Sequence, residues 1–163
     1  MTYNKQLGLV CALVIQVVRG CPNGWETFDG SCYFVSDITE DWSAASATCG
    51  VFHAHLAEVQ NGYEDNFLKQ LIIRYHNGHI QDRYFWFGGT DMFVEGDWRW
   101  SDSDQRLNYT NWRAGDPNDL NHAQDCMVAD LNCNHYYWID RECENAYNFV
   151  CEIRDGSSAA VIG

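Results

Sequence analysis

Cysteines constrain this chain more than any other feature of its sequence. The 163 residues include eight of them, and Cys11 lies in an apolar run near the N-terminus. The others are Cys21, Cys32, Cys49, Cys126, Cys133, Cys143 and Cys151. In an exported chain of this size they predict a framework of disulfide bonds, because the compartment is oxidising and the hydrophobic core is modest. Without Cys11 their number is odd, so one thiol is free or pairs outside the chain.

Residues 1–20 indicate export. They open with a short polar stretch containing Lys5, continue with an apolar run over 7–18, and end in Val-Arg-Gly. This pattern predicts a secretory signal peptide, and its apolar core is shorter than the roughly 20 residues that cross a bilayer. Arg19 disfavours a lipoprotein acylated at Cys21. We therefore expect a secreted, extracellular protein that does not insert into a membrane and whose mature chain begins near Cys21.

The mature chain is strongly acidic. Removal of residues 1–20 takes away Lys5 and Arg19 and no acid, so the formal net charge moves from −13 to −15. Such a surface repels nucleic acid and anionic lipid and favours cations, basic partners or mineral surfaces. A solvated acidic exterior alone would explain most of this charge. Nucleic acid is excluded as a class of partner.

The first half of the mature chain predicts a hairpin and two helices. The Asp-Gly pair at 29–30 has aromatic residues on both sides, which is a strong signal for a two-residue hairpin. Residues 39–52 are alanine-rich and predict a first helix. Residues 61–78 predict a second helix, in which Asn61 and Glu64 form a start that is similar to a capping box. Its predicted buried stripe is Phe67, Leu68, Leu71, Ile72 and Tyr75.

The second half changes character. From residue 85 onward, short aromatic runs broken by Gly, Asp and Asn predict brief strands. A long polar loop over residues 101–124 joins them, and a loop of that length inside a compact domain is usually functional or held by a ligand. No repeat or linker interrupts the chain, so we expect one domain. Helices early and an irregular β region late predict an α+β fold.

Catalytic motifs are absent from the sequence. It contains no nucleophile elbow and no zinc-protease helix. Acids are abundant, but none is isolated in the apolar setting that would raise a pKa for glycoside hydrolysis. Zinc is a weak rival to disulfides, because no two cysteines have zinc-knuckle spacing and the histidines do not cluster with them. We therefore predict a protein that is not an enzyme.

Six stretches of sequence together resemble the C-type lectin-like domain. In order they are CPNGWETFDGSCYFV, WSAASATC, HLAEV, FWFGG, the Asp-Pro-Asn loop and WIDRECENAYNFVCE. Each is modest alone, but their combined order is highly specific and covers residues 21–154, leaving a short tail over 155–163. EGDWRW followed by NYTNW is most similar to the perlucin-like lectins of mollusc mucus and shell. The resemblance implies two helices, two small antiparallel sheets and a long ligand-binding loop, stapled by disulfides.

The resemblance also assigns the cysteines. It implies the disulfides Cys21–Cys32, Cys49–Cys151 and Cys126–Cys143. The second closes a loop of about 100 residues, for which the chain-entropy estimate is about 4.7 kcal/mol. Cys133 is left over, either as an interchain bridge in a disulfide-linked homodimer or as a buried or capped free thiol.

A principal calcium site is the next implication of the resemblance. The matching positions here are Asp116, Asn118, Gln124, Ile139 and Asp140. Calcium takes only oxygen ligands and its affinity follows their charge and number, so the uncharged Gln124 and the apolar Ile139 predict a weaker site than the family norm. Vicinal sugar hydroxyls would complete the shell of the ion. Asp116, Asn118, Gln124 and Asp140 are therefore predicted to bind both calcium and carbohydrate.

An auxiliary calcium site is implied as well. Its matching positions are Asp91, Glu95, Asp119 and Asp125, with Gln124 beside them. Four of these are carboxylates from segments far apart in the sequence. The predicted role of this ion is to order the long loop rather than to touch sugar.

The resemblance leaves two functions open. The first is a secreted calcium-dependent lectin that recognises glycans on cell or microbial surfaces in innate defence. The acid-before-amide order of Asp116 and Asn118 is similar to the mannose-type loops of the family. The second is a structural or interaction protein that keeps the fold, has lost sugar binding, and uses its acidic surface for mineral, matrix or protein partners.

Several other residues have two interpretations. Asn108 heads an Asn-Tyr-Thr sequon and is a predicted glycosylation site. His53 and His55 could be metal ligands. The resemblance, however, places them where a strand enters the core, and this position favours packing. His122 lies in the ligand loop, where it could contact a glycan. The aromatic residues that could form either a wall for a sugar ring or part of the packing are Trp112, Tyr136 and Tyr137.

Overall fold

The computed structural model describes residues 20–76, 83–132 and 135–154. The predicted signal peptide up to residue 19, Cys133 and the predicted tail over 155–163 lie outside the described residues. No helix in the described part of the chain is long and apolar enough to span a bilayer.

Two helices and eight strands occur within those residues. The helices are α1 (Trp42–Val51) and α2 (Gly62–His76). The strands are β1 (Glu26–Phe28), β2 (Ser31–Val35), β3 (His55–Leu56), β4 (Tyr84–Thr90), β5 (Arg99–Trp100), β6 (Cys126–Asn132), β7 (His135–Arg141) and β8 (Asn148–Ile153). The predicted long loop connects β5 to β6 and contains only a short 3-10 turn, Leu120–His122.

Local signals set the first elements. Asp29 and Gly30 both have positive φ and form the turn between β1 and β2, as the Asp-Gly pair predicts. The Asn61 side chain accepts the backbone N–H groups of Tyr63 and Glu64, at 2.9 and 3.1 Å, and so caps the start of α2. Glu64 reaches back to the N–H of Gln60 rather than to that of Asn61, so the predicted capping box is displaced by one residue.

The strands run in the order β1-β2-β8-β4-β6-β7, with β3 beside β8 and β5 beside β4. Two antiparallel groups were expected, and the neighbours within each group are antiparallel. The exception is the pair β4 and β8, which is parallel and joins the two groups into one mixed sheet. The α+β fold class is confirmed, with this parallel junction as the departure from two separate antiparallel sheets.

Three disulfides connect the elements with the pairing that the family resemblance implies. They are Cys21–Cys32, Cys49–Cys151 and Cys126–Cys143. The first closes the β1–β2 hairpin to the start of the described chain, the second ties α1 to β8, and the third ties the start of β6 to the segment after β7. The third bond therefore holds the segment after β7 beside the start of β6, where the long loop ends.

Two apolar clusters fill the interior. Helix α2 covers one of them with Leu68, Leu71 and Ile72, and Phe67 and Tyr75 complete its predicted stripe as partly buried residues. Helix α1 covers the other with Trp42, Ala45 and Cys49. The apolar faces of the two helices are buried in these clusters and give the sheet a packed base. The long loop projects from this base.

Asp65 on α2 anchors the long loop to that base. Its carboxylate accepts hydrogen bonds from Tyr109, Asn111, Tyr136 and Trp138, at 2.9 to 3.1 Å. Tyr109 and Asn111 belong to the loop, while Tyr136 and Trp138 belong to β7. Because one buried acceptor on α2 satisfies donors from both the loop and β7, it fixes where the loop leaves the sheet.

Candidate functional site

The Asp116-Pro117-Asn118 segment forms the tip of the site, and its Asp116–Pro117 peptide bond is cis. The Asp116 side chain is only 1% exposed. One of its oxygens accepts a hydrogen bond from the Asn118 side-chain amide. The other accepts from Arg113 Nε at 2.7 Å, which makes a close ion pair. Asp116 is therefore already paired with a cation from its own loop.

Asp140 lies beneath this segment, near the end of β7, and is fully buried. Its Oδ2 accepts the backbone N–H groups of Asn118 at 2.7 Å and of Asp119 at 2.6 Å. Its Oδ1 is buried without a hydrogen-bond partner in the part of the chain that the structure describes. Asp116, Asn118 and Asp140 are thus brought together, and one carboxylate oxygen among them lacks a partner.

Gln124 and Asp119 hold the 3-10 turn between them. The buried Gln124 side chain accepts the backbone N–H of Leu120 at 3.0 Å. Asp119 Oδ1 accepts the backbone N–H of Gln124 at 3.2 Å, and its Oδ2 lies 2.9 Å from His122 Nδ1. The hydrogen bond from the Gln124 N–H is the largest cause that lowers the pKa of Asp119. These contacts hold residues 119–124 together, and they pair the Asp119 carboxylate with His122.

Ile139 does not face the site. Side chains alternate between the two faces of a strand, and Ile139 packs fully buried in the α1 cluster against residues such as Val128 and Phe149. Its neighbour Trp138 belongs to the α2 cluster on the other face. The position that the family resemblance assigns to a ligand is therefore a core position here.

Three of the predicted auxiliary ligands converge where the long loop joins β6. Asp91, Glu95 and Asp125 each offer a carboxylate oxygen, and these oxygens lie within 4.8 Å of one another. Asp91 directly follows β4, and its N–H donates to the Asp125 carbonyl at 3.2 Å. Thr90 also donates to that carbonyl, at 2.7 Å. Asp119 is not a member of this group, since its carboxylate is held by the 3-10 turn.

The electrostatics of this acidic group fit a cation. Asp91 is 4% exposed and its Oδ1 has no hydrogen-bond partner among the described residues. Burial, and then the charges of Glu95 and Asp125, raise the pKa of Asp91 to about 6, against one hydrogen bond from the Gly96 N–H that lowers it. Oxygen-only ligands suit calcium or magnesium. A bound divalent cation would offset the repulsion among the three carboxylates and would give Asp91 Oδ1 a partner.

The remaining predicted residues fall outside this arrangement. Trp112 is half-buried and packs edge-on against Trp98 and Trp138, and Tyr136 is buried, so both are packing residues. Tyr137 is 39% exposed. His122 projects into solvent, and Asn108 is exposed in the loop, where a sequon can be modified.

Arg113 is the residue of the site that sequence reasoning missed. It lies three positions before Asp116, and its guanidinium also lies 3.7 Å from Asp130 on β6. An Arg three residues before an acid is a weak signal, because surface ion pairs of this spacing are common and contribute little. Only the burial of the Asp116 side chain gives the pair its significance.

Residues 38–153 match the family described as the lectin C-type domain. The chain belongs to the C-type lectin domain family. The predicted resemblance to perlucin-like lectins is also confirmed, because perlucin from Haliotis laevigata is 32% identical over 82% of this chain and 83% of its own length. The galactose-specific lectin nattectin from Thalassophryne nattereri is 32% identical over 89% of this chain and 91% of its own length.

Solved C-type lectin structures share the architecture. The carbohydrate-recognition domain of the human scavenger receptor C-type lectin superposes with a TM-score of 0.73, with 28% identity, over 83% of this chain and 99% of that domain. The herring type II antifreeze protein superposes with a TM-score of 0.70, with 25% identity, over 82% of this chain and 98% of that protein. The same fold therefore occurs both in a carbohydrate-recognition domain and in an antifreeze protein.

Proposed function

We propose that this C-type lectin domain protein is a secreted, calcium-dependent glycan-binding lectin rather than an enzyme. The observation that carries the proposal is the set Asp116, Asn118 and Asp140, linked by hydrogen bonds at the tip of the long loop. Asp140 is fully buried, and its Oδ1 lacks a partner in the described residues. A buried carboxylate oxygen without a partner is costly. A cation at this point would supply the missing interaction.

The residues that would hold this ion are those that the family resemblance implies. They are Asp116, Asn118, Gln124 and Asp140. Bound calcium would offer open coordination positions to two vicinal hydroxyls of a sugar. The exposed Asn118 amide can donate a hydrogen bond to one of these hydroxyls, and Asp116 can accept one once its contact with Arg113 loosens. The site is therefore expected to bind its ion and its sugar weakly and together.

A second ion would order the loop from its other end. Asp91, Glu95 and Asp125 would hold it, and Asp119 would join them only if it released His122. Asp91 follows β4 and Asp125 precedes β6, so an ion between them would cross-link the segment after β4 to the end of the long loop. Its loss would loosen the sugar site without any direct contact with sugar.

The partners that we propose are glycans on cell or microbial surfaces, in a defence role. The acid-before-amide order at residues 116 and 118 favours mannose-type sugars, whereas the similar nattectin is named as galactose-specific. A single weak site needs multivalency, which a homodimer linked through Cys133 would provide. The exposed Asn108 sequon would carry a glycan on the secreted protein.

One observation favours a second candidate, a protein that keeps the fold without binding sugar. The buried Asp116 carboxylate is neutralised by Arg113 at 2.7 Å, and Ile139 lies in the core. The loop tip can therefore hold its shape without an ion. In that case the acidic surface would bind mineral, matrix or protein partners, and the herring antifreeze protein is an example of the fold in a non-lectin.

The test is retention on parallel mannose-agarose and galactose-agarose columns in calcium, followed by elution with a chelator. We expect retention on mannose and release by the chelator, because the ion and the sugar share one site. Passage through both columns would support the second candidate. Retention that the chelator leaves intact would keep the sugar binding and overturn its dependence on calcium. Retention on galactose alone would keep the lectin and overturn the mannose assignment.

A matched pair of amide variants locates the site. Asn118→Ala removes the exposed donor at the loop tip and should abolish retention. Asn66→Ala removes an exposed amide on α2, which lies beside Tyr109 and Asn111 rather than at the loop tip, and should leave retention unchanged. Equal behaviour of the two variants would place the sugar elsewhere on the surface.

A further inference from the structure

A second type of metal-ligand cluster lies apart from the acidic group. His55, Glu58 and Asp102 each offer one ligand atom, and these three atoms lie within 4.8 Å of one another. His55 opens β3, Glu58 follows that strand, and Asp102 lies in the turn after β5. The predicted core packing of the two histidines is wrong in part: His53 is exposed with a positive φ of 56°, and only His55 is largely shielded, with 13% of its side chain exposed.

The imidazole of His55 is oriented as a metal ligand would be. Its Nδ1 lies 2.9 Å from the carbonyl of Leu56, so this nitrogen carries the proton and donates it there. In the neutral imidazole this contact fixes the tautomer and places the lone pair on Nε2, the atom that would bind a metal. Nε2 lies 3.9 Å from Asp102 Oδ2. That distance is too long for a hydrogen bond, but it is close to the roughly 3.3 Å between two ligands of one tetrahedral zinc ion.

Glu58 supplies a buried, fixed carboxylate. It is fully buried, and it accepts the N–H of Ser103 at 2.9 Å and Arg154 Nη1 at 3.1 Å. A carboxylate has about four lone-pair positions, so both contacts leave room for a metal ion. Arg154 also pairs with Glu152, and the local acids Glu58, Glu152 and Asp102 outnumber this one arginine. The cluster therefore retains a net negative charge that attracts a cation.

The loop that carries Asp102 is held in place from several sides. Ser101 N–H donates to the Gly88 carbonyl at 2.8 Å, and Ser103 N–H is bound by Glu58. Gly88 itself lies so close to β3 that an added Cβ would come within 2.8 Å of the Leu56 carbonyl. The three ligands therefore come from segments that are already packed together, and only the Asp102 side chain, 57% exposed, needs to move inward.

An open position faces a cavity. His55 and Asp102 line a cavity of about 460 Å³ together with Trp42, Ser46 and Met92, among others. A water molecule or a small ligand atom has room there to complete a four-coordinate shell. One nitrogen and two oxygen ligands differ from the oxygen-only sets that calcium prefers.

We propose that His55, Glu58 and Asp102 form a zinc site, separate from the calcium ligands and independent of sugar binding. An imidazole with two carboxylates and one open position is a ligand set that suits zinc among the common biological cations. Bound zinc would tie β3 to the turn after β5.

The test is calorimetric titration of the chelator-stripped chain with zinc chloride, in excess calcium so that oxygen-only sites are filled. A Cys133→Ser background keeps the thiol from contributing a ligand. We expect one zinc ion per chain, and X-ray absorption at the zinc edge should show a single imidazole with oxygen ligands and no sulfur. Absence of zinc binding, or a spectrum without an imidazole, would overturn the site.

Charge-matched variants decide where the zinc lies. Asp102→Asn should weaken zinc binding at least about tenfold, the scale on which the loss of supporting groups acts at metal sites. Asp104→Asn, two residues away and 87% exposed, makes the same change in charge and should leave affinity unchanged. Equal weakening by both would reduce the effect to general attraction, and unchanged affinity in Asp102→Asn would place the zinc elsewhere. Both results would overturn the proposal.

Discussion

Burial governs the protonation of Asp91. The pKa of this carboxyl is raised from 3.8 to about 6 in the folded protein, first by burial and then by Glu95 and Asp125. The folded state therefore holds the proton more tightly than the unfolded chain does. This contribution to stability is fully present below pH 3.8 and is lost as the pH rises through about 6.

Asp91→Asn should separate proton and calcium effects in this group. In chelator at pH 7 the variant should be more stable than the wild type, by up to roughly 3 kcal/mol, and the advantage should vanish near pH 4. With calcium present the order should reverse, because the wild type alone keeps the ligand charge. Urea unfolding of both proteins at pH 4 and pH 7, with and without calcium, measures the difference in stability under all four conditions. A pH-independent difference would contradict the raised pKa.

Ile139 illustrates how a residue can match a ligand position and still belong to the core. Ile139→Asn supplies the oxygen ligand that this position lacks, yet it places a polar group in the α1 cluster. We expect a loss of about 3 kcal/mol or more in unfolding free energy and no gain in calcium affinity. Ile139→Val should cost only about 1 kcal/mol. Tighter calcium binding by a stably folded Asn variant would show that the side chain turns toward Asp140.

At the scale of elements, the docking of α2 positions the long loop. Asp65→Ala would leave the donors of Tyr109, Asn111, Tyr136 and Trp138 without their acceptor. We expect a loss of at least about 3 kcal/mol in unfolding free energy, because two of these donors are on buried residues. Amide hydrogen exchange of Arg113, whose N–H donates to the Trp138 carbonyl, should accelerate.

Asn66→Ala is the control for this prediction, since it changes the next residue of α2 on the exposed side. It should alter neither the urea midpoint nor the exchange rate at Arg113. If Asp65→Ala lowered stability but left exchange at Arg113 unchanged, the helix would be shown to support the sheet without positioning the loop.

Elements that depend on neighbours in sequence could be predicted, and those that depend on distant contacts could not. The Asp29-Gly30 turn and the Asn61 cap are encoded within four residues, and both are confirmed. The parallel pairing of β4 with β8 joins segments more than sixty residues apart. No local pattern specifies that partner, and the family resemblance implied two separate sheets.

The candidate sites divide along the same line. Family spacing anticipated the segments that carry Asp91, Glu95 and Asp125, and the structure brings these residues together. The burial of Ile139 follows from two-residue alternation around Trp138 and could have been read from β7 itself. The cluster of His55 and Asp102 could not be predicted from the sequence, because only the packing of β3 beneath the turn after β5 brings these two residues close.

For the molecule as a whole, the Cys49–Cys151 bond is the disulfide that connects residues far apart in the sequence. It joins α1 to β8 across 102 residues, and both cysteines are fully buried. Cys21–Cys32 spans only 11 residues. On the chain-entropy estimate, the first restricts the unfolded chain by about 4.7 kcal/mol and the second by about 3 kcal/mol.

Paired alanine variants test whether this restriction supports the molecule. Replacing Cys49 and Cys151 should lower the unfolding free energy by at least about 2 kcal/mol more than replacing Cys21 and Cys32, since lost packing at the buried pair adds to the entropy. Urea unfolding of the two double variants gives the difference directly. Equal losses would mean that the unfolded chain is already compact without the long-range bond, because residual structure would then replace the constraint that the disulfide imposes.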